Sequence, residues 1–420
     1  MQIETLGEAR FPNPATHTVK DDARLAGNLV DFSDIDGEEN YRFELAGPRE
    51  RIFFDPKHTR AGIVTCGGLC PGLNNVIRSL FLELHHTYSV SDVLGFRYGY
   101  QGLDPSQGFD PIPLTQDIVH DIHNKGGTIL GTSRGPVDVG IAVENLIQRG
   151  INILFTIGGD GTQRGAYALF QEAKRRGYAL SVIGIPKTID NDVSFVTRTF
   201  GYSTAVDMAA KILGCAHMEA RSVHNGISVV KLMGRHAGFI AAGATIASQD
   251  VNFVLIPEVP FKLGGENGFL AALKHRILSR NHSVIAVAEG AGQDLLQGSS
   301  TERDASGNTK LQDIGTYMRD AIATFFKTEG IPVTLRYIDP SYVIRSVAAG
   351  SEDAVLCDLY ARNAVHAAMA GKTGMIVGLM HGMYIHVRID LLGTQTKRVS
   401  PDGVTWHAAL AACGQQERFT

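Results

Sequence analysis

A recurring unit constrains this chain more than any single residue does. A short apolar run ends in a glycine-rich turn, and helical periodicity follows. Residues 61–66 lead into Gly67-Gly68-Leu69-Cys70-Pro71-Gly72, with helical spacing from Leu73. Residues 152–157 lead into Gly158-Gly159-Asp160-Gly161-Thr162, with small or apolar positions at Ala166, Leu169, Phe170 and Ala173. Residues 180–185 lead into Pro186-Lys187-Thr188-Ile189-Asp190-Asn191-Asp192. Strand, turn and helix repeated in this order predict a parallel sheet covered by helices on both faces. Such sheets bind ligands just beyond the carboxyl ends of their strands.

The same reading places further strands at 90–96, 227–230, 253–256, 284–288 and 333–338, with a last one at 375–379. It places helices at 204–218, 311–326 and 351–370, and a mobile polar loop at 290–310. The fold class expected is α/β, with two doubly wound Rossmann-like lobes, largely parallel sheets and an active-site cleft between them. Residues 1–60, which include the acidic patch Asp34-Ile35-Asp36-Gly37-Glu38-Glu39, read as an N-terminal extension wrapped on the domain that follows. Residues 61–201 with about 345–395 form the first lobe, and 202–344 with the C-terminal tail form the second. The sequence carries no internal repeat.

Composition limits the partners. A chain of 420 residues can build two or three domains. A formal net charge of −4 with no basic block argues against nucleic acid or an anionic membrane as partner. The five cysteines, Cys66, Cys70, Cys215, Cys357 and Cys413, are scattered, which suits a reducing cytoplasm and not a disulfide framework or a zinc site. No signal-peptide pattern opens the chain, and no apolar run reaches the roughly 18 residues of a membrane span.

The turns hold residues suited to phosphate chemistry. A glycine turn before a helix presents backbone N–H groups and the positive end of the helix dipole to an anion. No Gly-Lys-Ser/Thr follows, so the first turn is not a Walker loop. Asp160 suits a hydrated Mg2+ bridging phosphates. Asp190 and Asp192, two apart, point to one side in an extended turn, where they repel unless a cation or a proton-transfer task holds them. Arg134, in the Gly-rich stretch Gly126 to Gly135, and Arg235, at a strand end in Met233-Gly234-Arg235, are cations suited to bidentate phosphate contacts.

Together, Gly-Gly-Asp-Gly-Thr, Pro-Lys-Thr-Ile-Asp-Asn-Asp and Met-Gly-Arg, in that order and each after a strand, closely resemble the 6-phosphofructokinase family over residues 60–390. The resemblance implies an ATP:D-fructose-6-phosphate 1-phosphotransferase of glycolysis using Mg2+. Asp190 matches the catalytic base that takes the proton of the sugar 1-hydroxyl. Asp192, Thr188 and Arg235 match residues around the transferring phosphoryl group, and Asp160 matches the metal-associated carboxylate. Gly67, Gly68, Arg134, Gly159, Asp160, Gly161, Thr162, Gln163 and Lys187 fall where the donor sits. Thr188, Asp190, Met233, Gly234, Arg235, Glu289, Arg336, Tyr342 and Arg345 fall where the sugar phosphate sits, with Tyr342 in place of a usual His. The resemblance also implies a cytoplasmic homodimer or homotetramer with ATP and fructose 6-phosphate as its partners.

The donor question turns on Gly161 and Lys187. Pyrophosphate-using members resembled here carry Asp at the first position and Lys at the second; common ATP-using bacterial members carry Gly at both. An Asp at 161 would repel the nucleotide α-phosphate, so Gly161 favours ATP, with the pyrophosphate-dependent phosphotransferase as the alternative. The Gly-with-Lys combination resembles an ATP-dependent group that includes kinetoplastid and some bacterial enzymes. Gly226 replaces an Arg that reaches a neighbouring subunit's sugar phosphate, Leu82 replaces a basic effector-site residue, and Arg97 replaces an aromatic near the adenine. Lipid and NAD kinases share the Gly-Gly-Asp-Gly-Thr turn but lack the Thr-Ile-Asp-Asn-Asp loop. A silent regulatory subunit would have lost the carboxylates at 160, 190 and 192. Sedoheptulose 7-phosphate remains open as a second substrate.

Overall fold

A computed structural model describes residues 2–27, 41–135, 138–296, 310–392 and 396–420. The acidic patch at 34–39 and most of the expected loop at 290–310 lie outside the described residues. Among those described, the larger sheet has nine strands. Its parallel centre runs Met375–Met380, Ser181–Pro186, Ile153–Gly158, Arg60–Thr65 and Asp92–Phe96 in spatial order. The flanking strands are antiparallel: Ile112–Pro113 on one edge, and Met383–Arg388, Arg42–Leu45 and Arg24–Ala26 on the other. The central strands are buried along their length, which is why they read as continuous apolar runs.

The smaller sheet is wholly parallel, in the order Phe253–Leu255, His282–Ala288, Gly226–Leu232 and Thr334–Ile338. Alternation divides its side chains between two cores. Val230, Leu232, Val254, Ala286 and Ala288 join the large core, on the side of the helices Tyr202–Arg221 and Phe239–Ser248. Ile227, Val229, Phe253, Leu255, Ile285 and Val287 face a second core with Phe269, Met318 and Phe326. Each fully buried side chain of this kind contributes roughly 1.5–3 kcal/mol. Helices thus cover both faces, as the doubly wound expectation requires.

Several elements escaped the sequence reading or changed it. Met375–Met380 is not the last strand, because Met383–Arg388 turns back antiparallel to it. That strand mixes exposed Met383 and Arg388 with buried Ile385 and Val387, so it lacks a continuous apolar run. The helices Val139–Gln148, Phe269–Arg280 and Val404–Cys413 were also not foreseen. In the first 60 residues, Glu4–Thr5 pairs with Lys372–Thr373, and Arg42–Leu45 adds to the large sheet.

A buried charge cluster fixes that N-terminal strand. Glu44 accepts from Arg49 at 2.9 Å, and Lys372 Nζ stands 2.9 Å and His386 Nδ1 3.1 Å from the same oxygen. Burial alone would raise the Glu44 carboxyl; the His386 bond and the His386 and Lys372 charges outweigh it and hold it well below the carboxylate range. Burial pushes His386 below its own usual value, against the pull of the Glu44 carboxylate, and Lys372 and Arg49 stand beside that carboxylate as further cations.

Candidate active site

The carboxyl ends of both sheets open on a cleft of about 1020 Å³. On one wall, Gly67 turns the chain after Arg60–Thr65 with φ +83°, in the left-handed region that favours glycine. Its carbonyl accepts from Thr132 Oγ1 at 2.6 Å, and its N–H donates to Ser133 O at 3.0 Å, which brings the Arg134 stretch alongside. A Cβ on Gly68 would stand 3.4 Å from Arg134 Nη2 and 3.8 Å from Arg345 Nη1, so this backbone faces two guanidinium groups. Asp160 opens the helix Asp160–Arg175. A Cβ on Gly161 would meet only Arg164 Nη2, at 3.8 Å, so packing within the protein does not require glycine there.

The loop after Ser181–Pro186 forms the floor. Asn191 has φ +56° and Phe195 φ +62°, so the Asp190–Asp192 segment is a tight turn, not the extended one expected. Its own bonds impose this. Asn191 Oδ1 accepts from Thr199 N at 3.0 Å, and Thr199 Oγ1 donates to Thr188 O at 2.7 Å. The two carboxylates still share the cleft. Thr188 Oγ1 donates to Asp192 Oδ1 at 2.7 Å. Asp190 Oδ2 accepts weakly from the Arg235 N–H at 3.4 Å, and its Oδ1 has no hydrogen-bond partner among the described residues. Burial, then the charges of Asp192 and Glu289, push the Asp190 carboxyl well above its usual range. Burial and the Asp192 charge also raise Asp160. Burial lowers Lys187, whose Nζ donates to Gly68 O at 2.8 Å.

The far wall comes from the smaller sheet. Gly234, with φ +128°, turns the chain so that Met233 and Arg235 line the cleft. The Gly290 N–H donates to Gly234 O at 3.1 Å, and a Cβ on Gly290 would stand 1.9 Å from Arg235 O; glycine lets the two strand ends meet. Glu289, beside it, is raised by burial against the opposing charges of Arg235 and Lys231. Arg345 stacks over the exposed Tyr342 ring at 4.5 Å.

Most of the expected site residues line this cleft: Gly67, Gly68, Arg134, Gly159, Asp160, Gly161, Thr162, Lys187, Thr188, Asp190, Asp192, Met233, Arg235, Glu289, Tyr342 and Arg345. Gln163 does not; it folds under the turn, donating from Nε2 to Gly158 O at 3.0 Å. Gly234 acts through its backbone. Arg336 lies away from the cleft, 3.0 Å from Glu219. Arg97 stacks on Tyr98 at 5.0 Å and is not a lining residue. Lys231, His236 and Thr396 line the cleft without having been assigned a role. The first two flank the Met-Gly-Arg stretch, at 231 and 236, and could have been included; Thr396 carried no sequence signal.

Comparison with known proteins decides the family. The phosphofructokinase profile matches residues 60–368. The chain belongs to the phosphofructokinase family. It is 50% identical over 413 residues to the ATP-dependent 6-phosphofructokinase of Trypanosoma brucei brucei, covering 95% of this chain and 84% of that one. It is 44% identical over 430 residues to the protein of that name from Borreliella burgdorferi, covering 99% and 96%. Among solved structures, a pyrophosphate-dependent phosphofructokinase from Marinobacter aquaeolei matches with a TM-score of 0.70 and 20% identity, over 86% of this chain and 93% of that one. The T-state phosphofructokinase of Pichia pastoris matches with a TM-score of 0.64 and 23% identity, over 79% of this chain and 35% of that longer one. At these identities the structural matches speak for the phosphofructokinase fold alone.

Proposed function

We propose that this phosphofructokinase-family protein transfers the terminal phosphoryl group of ATP to the 1-hydroxyl of fructose 6-phosphate, giving fructose 1,6-bisphosphate. One observation carries the reading. The unpartnered Oδ1 of Asp190 shares a single cleft with the glycine turns at 67–68 and 159–161 and with the cations Arg235 and Arg345. A carboxylate whose charged form is disfavoured has a raised proton affinity, which suits it to accept the hydroxyl proton as attack begins. Phosphoryl transfer asks for little else but alignment and charge. The Arg235 N–H orients the second oxygen of Asp190, and Thr188 orients Asp192. Arg235 and Arg345 suit the 6-phosphate through their planar forks. Lys187, bound to Gly68 O, fixes the turn that faces the donor.

The acids also suit Mg2+. Asp160 is raised by burial and by Asp192, with only the Arg164 charge opposing. A hydrated ion needs just one or two carboxylates besides phosphate oxygens. Asp160, with Asp192 nearby, would hold it, and when bound it would neutralise charge on the donor phosphates.

The names of the Trypanosoma brucei brucei and Borreliella burgdorferi relatives, both ATP-dependent, and the open space at Gly161 favour ATP over pyrophosphate. We assign residues 61–201 and 345–395 to the donor lobe and 202–344 with the tail to the sugar lobe, a division supported by sheet membership. A homodimer or homotetramer belongs to the same proposal, since Arg336 does not line the cleft of its own chain. So does a cytoplasmic location, supported by the five free thiols. Among the described residues no helix is long and apolar enough to cross a membrane. The deciding experiment compares steady-state rates with ATP and with pyrophosphate at fixed fructose 6-phosphate and Mg2+. Higher kcat/KM with ATP is expected; higher kcat/KM with pyrophosphate would reverse the donor assignment.

A further inference from the structure

A short stretch near the C-terminus ties the two walls of the cleft together. The chain leaves the large sheet after Met383–Arg388 and later packs on the smaller one, where Gln415 bonds both N–H and C=O of Val254 and the Lys262 N–H donates to Phe419 O at 3.0 Å. Between these anchors, Thr396 lines the cleft. The Lys397 N–H donates to Asp192 O at 3.0 Å, and its Nζ donates to Val196 O at 2.6 Å and Thr197 O at 3.0 Å. The same ammonium lies 5.3 Å from the Phe239 ring. Two residues on, the Val399 N–H donates to Glu258 Oε1 at 2.8 Å. Glu258 also accepts from the Gly238 N–H, at 2.9 and 3.1 Å, just after the turn that carries Arg235.

These bonds fall on a strained segment. Asn191 and Phe195 hold left-handed backbone without being glycine, a conformation that persists only where the surroundings impose it. The Asn191 side chain closes the loop from inside, through Thr197 and Thr199. Lys397 closes it from outside, at Asp192, Val196 and Thr197. Its ammonium is the outside group aimed at the two carbonyls that follow the carboxylate pair.

We propose that Lys397 is a positioning residue for phosphoryl transfer: by tying the 192–197 loop to the strap that also engages Glu258, it holds Asp190 in line with the sugar-side turn. The inference rests on reading Asp190 as the base. A small misplacement of such a group costs turnover more than binding.

The test is a comparison of Lys397→Ala with the wild-type chain, in kcat, in the dissociation constant for fructose 6-phosphate and in thermal midpoint. The expected result is a fall in kcat of about 10- to 100-fold, with sugar-phosphate affinity changed by less than about threefold. Added propylamine should restore part of kcat, whereas tetramethylammonium at the same ionic strength should not. A kcat within about twofold of wild type, an equal loss of affinity, or a folded variant that propylamine fails to rescue would overturn the proposal. If Lys397→Ala does not fold, Lys397→Met, which keeps the stem over Phe239, is read in the same way. Failure of both to fold would assign Lys397 to stability and overturn the proposal too. Wild-type turnover of fructose 6-phosphate tests the underlying reading separately, because inactivity there rejects the function and leaves no rate for the amine to rescue.

Discussion

Lys187 Nζ donates to the carbonyl oxygen of Gly68 at 2.8 Å, joining the loop that carries both carboxylates to the glycine turn of the donor wall. The lysine therefore holds that turn in place, which bears on the proposed donor site. Lys187→Met, which keeps the stem and removes the donor, should lower kcat/KM for ATP by about 10-fold or more, since a bond from a charged donor is worth about 1.5–3 kcal/mol. Equal ATP efficiency in the variant and the wild type would remove Lys187 from the donor site.

Asp190 is the group whose loss should be felt most. Asp190→Asn keeps the shape of the turn and removes the base. A fall in kcat of about 10²–10⁴-fold is expected, with fructose 6-phosphate binding still measurable by calorimetry. Near-normal kcat would exclude it as the base.

The pH dependence has a defined sign. Burial and the Asp192 and Glu289 charges raise the Asp190 carboxyl, so the free enzyme should lose kcat/KM as pH falls through that raised value. Asp192→Asn removes one like charge and lowers the proton affinity of Asp190. The acid limb of the log kcat/KM profile should therefore move to lower pH, whatever the variant's absolute rate. A limb that stays in place or moves up counts against the coupling.

Gly161→Asp tests the donor assignment within the protein. The new Cβ meets only Arg164 Nη2, at 3.8 Å, so the fold should be unaffected. The carboxylate would stand beside Asp160, where repulsion of a nucleotide phosphate costs several kcal/mol, about 100-fold or more in ATP kcat/KM. Unchanged ATP efficiency with an unchanged melting temperature would refute the steric and electrostatic account.

Glu44 bears on stability alone. Its carboxyl is held below the carboxylate range, so it stabilises the fold above its unfolded pKa, and that stability is lost as pH falls towards its folded value. Glu44→Gln leaves the largely buried Lys372 without its countercharge and Arg49 with only the exposed Asp21, 3.1 Å from its Nε, a loss of about 3–5 kcal/mol. Urea denaturation at neutral pH checks this; a change below about 1 kcal/mol would mean that the cluster is dispensable.

The sequence by itself determined the turns. Gly-Gly-Asp-Gly-Thr, Thr-Ile-Asp-Asn-Asp and Met-Gly-Arg are contiguous stretches at the ends of buried strands, so local patterning gave both the α/β layout and most of the residues that line the cleft. The tertiary structure decided what lies across it. Gln163 and Thr162 are neighbours on one helix, yet one folds under Gly158 and the other faces the cleft, because helical rotation separates them. Arg336 turns outward to Glu219, although Asp339, at the end of its strand, reaches the cleft. Lys397, from a stretch without recognisable pattern, meets the loop at 192–197, some 200 residues earlier in the chain. Such meetings depend on how two sheets and a returning tail pack together, and local periodicity holds no record of that packing.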